Sequence, residues 1–245
     1  MVTTNNGIGF ISMKELCIHH HLGLGDHFDC NGMVRYILKN FDFSKIYVFS
    51  KSNYFSMIEY MYRDEEGIEV IKIDKDLNED EQVRQFIEKN SLPFLRVGFE
   101  SYPTGKEIID NKNCWEYFYD QVKIPYNVRT DYFYVQRDEE EESNLLEALN
   151  PEQKPYIFVH DDPERGMILD RLDYKDFHVI RNDNTKNIFH FTKVLENAKE
   201  IHCMESSFKS LIDIYAKTAD LYYHDLRGHP LGEQTNREWR IVEYV

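Results

Sequence analysis

The sequence lacks the features that mark membrane, disulfide-rich and zinc-binding proteins. Its four cysteines, Cys17, Cys30, Cys114 and Cys203, are far apart and form no C-x-x-C pair, so we expect reduced thiols rather than a disulfide framework or a zinc site. No run reaches the ~18 consecutive apolar residues of a membrane span, and the polar N-terminus has no signal-peptide core. These absences predict a cytoplasmic protein without a membrane span.

Positive charge is also scarce. The 245 residues include 44 Asp and Glu but only 29 Lys and Arg, which gives a net charge of −15 and a pI near 5.1. A surface this acidic repels nucleic-acid backbones and anionic membranes, so neither is expected as a main partner. The 17 Tyr and 16 Phe indicate a globular chain, and the length lies between one large domain and two small ones.

Apolar runs in the first half alternate with helical patterns. Strands are expected at 16–20, 45–50, 68–73 and 94–97, and helices at 28–40, 53–63, 80–90 and 115–122. This order predicts a mostly parallel sheet with right-handed crossovers. An aromatic segment at 124–137 follows and is expected to be extended.

The second half repeats the alternation after an acidic helix that begins in the run 138–142 and ends near Leu149. Strands are expected at 156–160, 177–181, 200–203 and 221–224, and helices at 188–198 and 206–217. We therefore predict an α/β protein with two Rossmann-like domains, residues 1–140 and 141–245, that face a central cleft.

Each half contains a strand that breaks and restarts as a helix. In the first, Gly23 and Gly25 allow a tight turn and close backbone approach before the helix at 28–40. In the second, Ser206 and Ser207 separate a short strand from a helix. Helix N-termini offer free N–H groups and a positive dipole end, so both turns are candidate anion sites.

Asp26 directly follows the glycine turn and is the candidate general base. An acceptor hydroxyl needs a carboxylate or imidazole within about 3 Å to take its proton, and His27 is the next candidate. A helix N-cap is an equally good interpretation of Asp26, and the two roles are compatible. Asn31, one turn into the helix, is a candidate contact for the acceptor or a phosphate.

Several polar residues of the second half are candidate ligands for a phosphate-bearing group. Ser206 and Ser207 supply hydroxyl and N–H donors, and Arg165 supplies a guanidinium that can hold two phosphate oxygens. Glu205 is a candidate acceptor for a sugar or ribose hydroxyl. The alternatives are a plain N-cap for the serines, a surface ion pair for Arg165 and simple solvent exposure for Glu205.

The order of three motifs carries a family resemblance. Strand-G-L-G-D-x-x-x-x-N-G-x-x-R, strand-H-D-D-P-E-R-G and I-H-C-x-x-S-S-F together resemble a GT-B glycosyltransferase of the fucosyltransferase-like branch. The resemblance implies that the C-terminal half binds a nucleotide sugar. It assigns His160 and Arg165 to the β-phosphate, and Ser206, Ser207 and Phe208 to the turn beneath the diphosphate.

The resemblance also implies an activity. The expected enzyme is a hexosyl- or pentosyltransferase that moves a sugar from a nucleotide-diphosphate donor to a hydroxyl of a glycan acceptor, with inversion and with neither metal nor cofactor. Asp161 and Asp162 leave a metal clamp on the diphosphate as an alternative. A binding module without turnover and another transferase on a two-domain Rossmann scaffold also remain open. A dehydrogenase is a poor match because Phe28 stands where the dinucleotide fingerprint needs a third glycine.

Overall fold

The computed structural model describes residues 14–99, 114–169, 177–226 and 237–242. The strands are β1 (Glu15–His19), β2 (Lys45–Lys51), β3 (Ile68–Ile73), β4 (Phe94–Arg96), β5 (Tyr156–His160), β6 (His178–Arg181), β7 (Glu200–Met204), β8 (Asp220–His224) and β9 (Trp239–Val242). The α-helices are α1 (Leu24–Asn40), α2 (Phe55–Tyr62), α3 (Glu79–Asn90), α4 (Cys114–Gln121), α5 (Val128–Asp131), α6 (Glu139–Leu149), α7 (Thr192–Asn197) and α8 (Ser207–Tyr215). Short 3-10 helices occupy Pro163–Arg165 and Ile188–Phe191.

Two parallel sheets organise the chain, as the alternation of strands and helices predicted. The N-terminal sheet has the order β3-β2-β1-β4 and the C-terminal sheet the order β6-β5-β7-β8-β9, and every pairing in both is parallel. The central strands β5 and β7 are buried along nearly their whole length. Continuous apolar runs suit such strands because helices cover both faces of the sheet.

The two halves share one apolar core, with α1 and α8 in direct contact between the sheets. Phe28 of α1 stacks on Phe189 of the C-terminal half with ring centroids 5.1 Å apart. Gly32 lets α1 approach α5, because a Cβ there would lie 2.8 Å from the carbonyl oxygen of Arg129. Helix α1 is therefore held by both halves of the chain.

Some boundaries differ from the sequence-based expectations. The first helix begins at Leu24, a full turn before 28, because Gly23 in extended conformation serves as its N-cap. The aromatic segment at 124–137 contains the short helix α5, and the helix expected at 188–198 divides into a 3-10 helix and α7. Strand β9 was missed because its residues are half exposed and lack the apolar run of a buried strand.

Helix α6 begins in the acidic run, as expected. It packs against α7 and against the 3-10 helix Ile188–Phe191, which directly precedes α7. The division of the chain into domains at 140 and 141 stays a prediction. Among the helices of the described residues, none combines the length and the apolar character needed to cross a bilayer.

Candidate active site

A cavity of about 590 Å³ lies between the two sheets. Its N-terminal wall consists of the start of α1, residues 23–26, together with Tyr54, Met57 and Trp115. Its C-terminal wall consists of the loop after β5, the loop after β6, and the junction of β7 with α8. The two predicted strand-to-helix turns therefore line one cavity.

The topology explains this position. In the C-terminal sheet the chain moves outward from β5 to β6 and then returns to β7 on the other side, so the connections diverge between β5 and β7. In the N-terminal sheet the chain moves outward from β1 to β3 and then returns to β4 on the other side of β1, so the connections diverge between β1 and β4. Crevices at the carboxyl ends of such strands are the usual ligand sites of parallel α/β sheets. The ends of β1, β5 and β7 all lead into the cavity wall.

Gly23 is the N-cap of helix α1 but has no side chain that could cap it, and Asp26 takes this role instead. The Asp26 carboxylate, at the third helical position, turns back and accepts the backbone N–H of Gly23, as the acidic member of a capping box does. A Cβ at Gly23 would lie 2.6 Å from Asp26 Oδ2. A side chain at position 23 would therefore displace the Asp26 carboxylate.

The electrostatic environment of Asp26 suits a general base. Burial raises its pKa to about 7, with a further contribution from the negative charge of Asp29. A hydrogen bond from the Trp115 side chain and the backbone N–H groups lower the pKa in part. A base whose pKa lies near neutral pH accepts a proton readily and is still ionised in a useful fraction of molecules.

Asp29 lies one helical turn after Asp26 and is wholly buried. Arg129 Nε donates to Asp29 Oδ1 at 2.6 Å, and Ser210 Oγ lies 3.3 Å from Asp29 Oδ2. The carboxylate thus joins α1 to α5 and to α8. Burial nevertheless raises the pKa of Asp29, against the effect of the Arg129 charge.

Across the cavity, Ser206 is the N-cap of α8, as the simpler interpretation predicted. Its Oγ accepts the backbone N–H of Phe208 at 3.1 Å. Ser207 opens the helix, and a Cβ at Gly25 would lie 3.9 Å from Ser207 Cα in ordinary van der Waals contact. The N-termini of α1 and α8 therefore meet at the cavity, and both dipoles direct positive potential into it.

His160 ends β5 and stacks on Phe208 with ring centroids 4.5 Å apart. Burial lowers the pKa of His160 to about 4, although the Asn182 side chain hydrogen-bonds to it. Its Nδ1 has no hydrogen-bond partner within the described part of the chain. The ring is therefore neutral at physiological pH, and its Nδ1 is buried.

The two acids after β5 have different roles. Asp161 is buried, and its carboxylate accepts hydrogen bonds from the guanidinium of Arg181 and from the backbone N–H of Leu169. Asp162 caps the 3-10 helix and lies 3.2 Å from Arg165 Nε, whose side chain is 60% exposed. Arg165 thus lines the cavity while it forms the surface ion pair considered as the alternative.

Carboxylates outnumber cations in the cavity wall. The acids are Asp26, Asp161, Asp162, Glu164, Asp183 and Glu205, and the cations within the described lining are Arg165 and Lys186. Lys186 was missed because it lies in a polar loop with no motif around it. Glu205 accepts from Tyr223 Oη at 3.3 Å. No group of three or more His, Cys, Asp or Glu in the described residues is arranged to hold a metal ion.

The structure separates His27 and Asn31 from the cavity. His27 is fully buried beside His20, with ring centroids 4.7 Å apart, and burial holds its pKa well below the usual value. The Asn31 side chain is buried and accepts the backbone N–H of Tyr134 at 3.0 Å. Neither residue belongs to the cavity lining, and both face the interior on the buried side of α1.

Comparisons with known proteins address the fold. No protein-family model matches the chain, and no curated protein matches it. A solved glycosyl transferase family 9 protein from Veillonella parvula aligns over 86% of this chain and 80% of its own, with a TM-score of 0.53 and 8% identity. The fold is GT-B-like. E. coli ADP-heptose LPS heptosyltransferase II aligns over 95% of this chain and 91% of its own, with a TM-score of 0.51 and 10% identity.

At identities of 8% and 10%, these two structural similarities support the GT-B-like fold and say nothing about activity. The fucosyltransferase-like branch stays unconfirmed by them.

Proposed function

We propose that this chain is an inverting glycosyltransferase that moves a sugar from a nucleotide-diphosphate donor to a hydroxyl of a glycan acceptor. One observation carries the proposal. A half-buried carboxylate with a pKa of about 7, Asp26, faces the N-terminus of α8 across a cavity between two parallel sheets. The structural neighbours, a glycosyl transferase and an ADP-heptose heptosyltransferase, agree with this chemistry.

The donor is assigned to the C-terminal wall. Both cations of the described lining, Arg165 and Lys186, lie there beside the first turn of α8 and Ser207. Together they offer positive charge and N–H donors to a diphosphate, which gains negative charge as it leaves. His160 lines the same wall and stacks on Phe208 beneath the first turn of α8. These groups would stabilise the leaving group without a metal ion.

The acceptor is assigned to the N-terminal wall. As its hydroxyl oxygen forms a bond to the anomeric carbon, its proton passes to the Asp26 carboxylate. The bond between the anomeric carbon and the phosphate oxygen breaks, and its electron pair leaves with the nucleoside diphosphate. Attack from the side opposite the leaving group inverts the anomeric carbon.

Asp26→Asn tests the base. The variant should bind a nucleotide sugar as the wild type does. It should transfer the sugar at least ~100-fold more slowly, because no group then accepts the proton of the acceptor hydroxyl. UDP-, GDP-, ADP- and CMP-sugars are first screened by thermal shift. A donor at 100 times its Kd adds about 2.7 kcal/mol of stability. Asp42→Asn, an exposed carboxylate outside the cavity, is the matched control.

Two further measurements separate chemistry from folding. Wild-type kcat/KM should fall about tenfold per pH unit below pH ~7, since Asp26 must be ionised. Gly23→Ala should also slow transfer, although Asp26 itself is unchanged, because the new Cβ displaces Asp26 Oδ2. Wild-type turnover in Asp26→Asn would reject the assignment, and failure of every donor to bind would reject the function.

A further inference from the structure

The two walls of the cavity differ in charge. Arg165 and Lys186 both belong to the C-terminal wall, and the described lining of the N-terminal wall contains neither lysine nor arginine. The described lining of that wall holds one carboxylate, Asp26, and the buried Asp29 a helical turn behind it is paired with Arg129. A ligand bound at that wall therefore meets the Asp26 carboxylate, with neither lysine nor arginine of the described lining on the same side.

The same wall is rich in flat apolar surface. Tyr54 and Met57, at the start of α2, and Trp115, in α4, are all half-buried and line the cavity next to Asp26. The Trp115 side chain also lowers the pKa of the Asp26 carboxyl, which places the indole close to the base. Such walls of aromatic groups with a few placed polar atoms are typical of small-molecule sites.

We infer that this wall is an acceptor subsite for an uncharged pyranoside, whose apolar ring face packs on Trp115 while one hydroxyl reaches Asp26. The inference rests on the proposed transfer reaction and adds the class of acceptor. A carboxylate or phosphate on the acceptor would lie beside Asp26, with neither lysine nor arginine in the described lining of this wall to compensate it. Like charges brought together without a counterion disfavour binding, so anionic glycans are rejected.

The two tryptophans of the chain allow a direct test. Trp115 lines the cavity, whereas Trp239 lies in β9 and donates its indole N–H to Asp213 at 2.8 Å. Trp239→Phe leaves Trp115 as the only tryptophan, and Trp115→Phe leaves Trp239 as the matched control. The probes are methyl glycosides of neutral hexoses, each paired with the uronide that differs only by a carboxylate at C6.

In Trp239→Phe, at least one neutral glycoside should change the fluorescence of Trp115 saturably, and its uronide should bind at least about tenfold more weakly. Trp115→Phe should give no such signal. Asp26→Asn should reduce the preference for the neutral partner, because part of the repelling charge is gone. Saturation-transfer NMR on the unmodified chain gives the same comparison if a variant does not fold.

Equal or tighter binding of the uronide, a signal that persists in Trp115→Phe, or no response to any neutral glycoside would each overturn the subsite. Donor binding is measured separately on the same protein by thermal shift. A chain that binds and transfers from a nucleotide sugar but fails these glycoside tests remains a glycosyltransferase with its acceptor elsewhere. A chain that binds glycosides but no donor refutes the proposed transfer instead.

Discussion

The raised pKa of Asp26 makes a prediction about stability as well as turnover. The carboxyl titrates at about 7 in the folded chain, against 3.8 for the unperturbed group. A raised carboxyl pKa means that the folded state favours the protonated form. The stability that this group contributes is therefore fully present below pH ~4 and is lost as the pH rises to ~7.

The magnitude follows from the same values. At about 1.4 kcal/mol per pH unit, ionised Asp26 costs the folded chain on the order of 4 kcal/mol by pH 8. Asp26→Asn removes that cost, although it also loses part of the hydrogen bonding to Gly23 and Trp115. We expect the variant to be more stable than the wild type at pH 8 by about 1 to 3 kcal/mol.

The assay is urea unfolding of the wild type and Asp26→Asn at pH 5, 6, 7 and 8, with Asp42→Asn as the exposed control. The advantage of Asp26→Asn should grow from pH 5 to 7 and then level off, while the control should show no such trend. A variant that is less stable than the wild type at pH 8 would refute this reasoning. Asp26 would then be chiefly a helix cap, rather than a base whose ionised form destabilises the folded state.

Three other perturbations have defined outcomes. Arg165→Ala should weaken donor binding about ten- to a hundredfold by calorimetry, whereas Arg84→Ala, on the exposed face of α3, should leave it unchanged. Gly32→Ala should destabilise the fold by about 1 to 3 kcal/mol in urea, because its Cβ would overlap a backbone carbonyl of α5. Burial lowers the pKa of His202 and His224 to about 4. The stability that these two histidines contribute should therefore be lost as the pH falls from ~6.5 towards 4, and a His224→Gln variant should lose less over this range than the wild type.

The sequence predicted the parallel sheets and the position of the cavity because both depend on local patterns. A run such as Y-I-F-V-H at 156–160 is apolar without alternation, which indicates a strand buried on both faces. The glycines before Asp26 and the paired serines at 206–207 mark helix starts after strands. When the strands are parallel, such turns must emerge at one edge of each sheet.

The environment of the base could not be predicted in the same way. Arg129 is 100 residues from Asp29, and Ser210 is 181 residues from it. No periodicity relates positions so far apart, and their contacts depend on how α5 and α8 pack on α1. The same dependence explains His27, which faces the core only because α1 begins a turn earlier than expected.

The placement of α1 links the site to the stability of the whole chain. Asp26 and Asp29 lie one turn apart on the helix, the first at the cavity and the second buried with Arg129 and Ser210. Because α1 is fixed through Asp29 by both halves, the separation of Asp26 from the start of α8 is set by the folded core. A buried ion pair stabilises little in itself, since desolvation offsets much of its attraction. What this pair contributes is a fixed position for the base, whose pKa is raised to about 7 mainly by burial and in smaller part by Asp29.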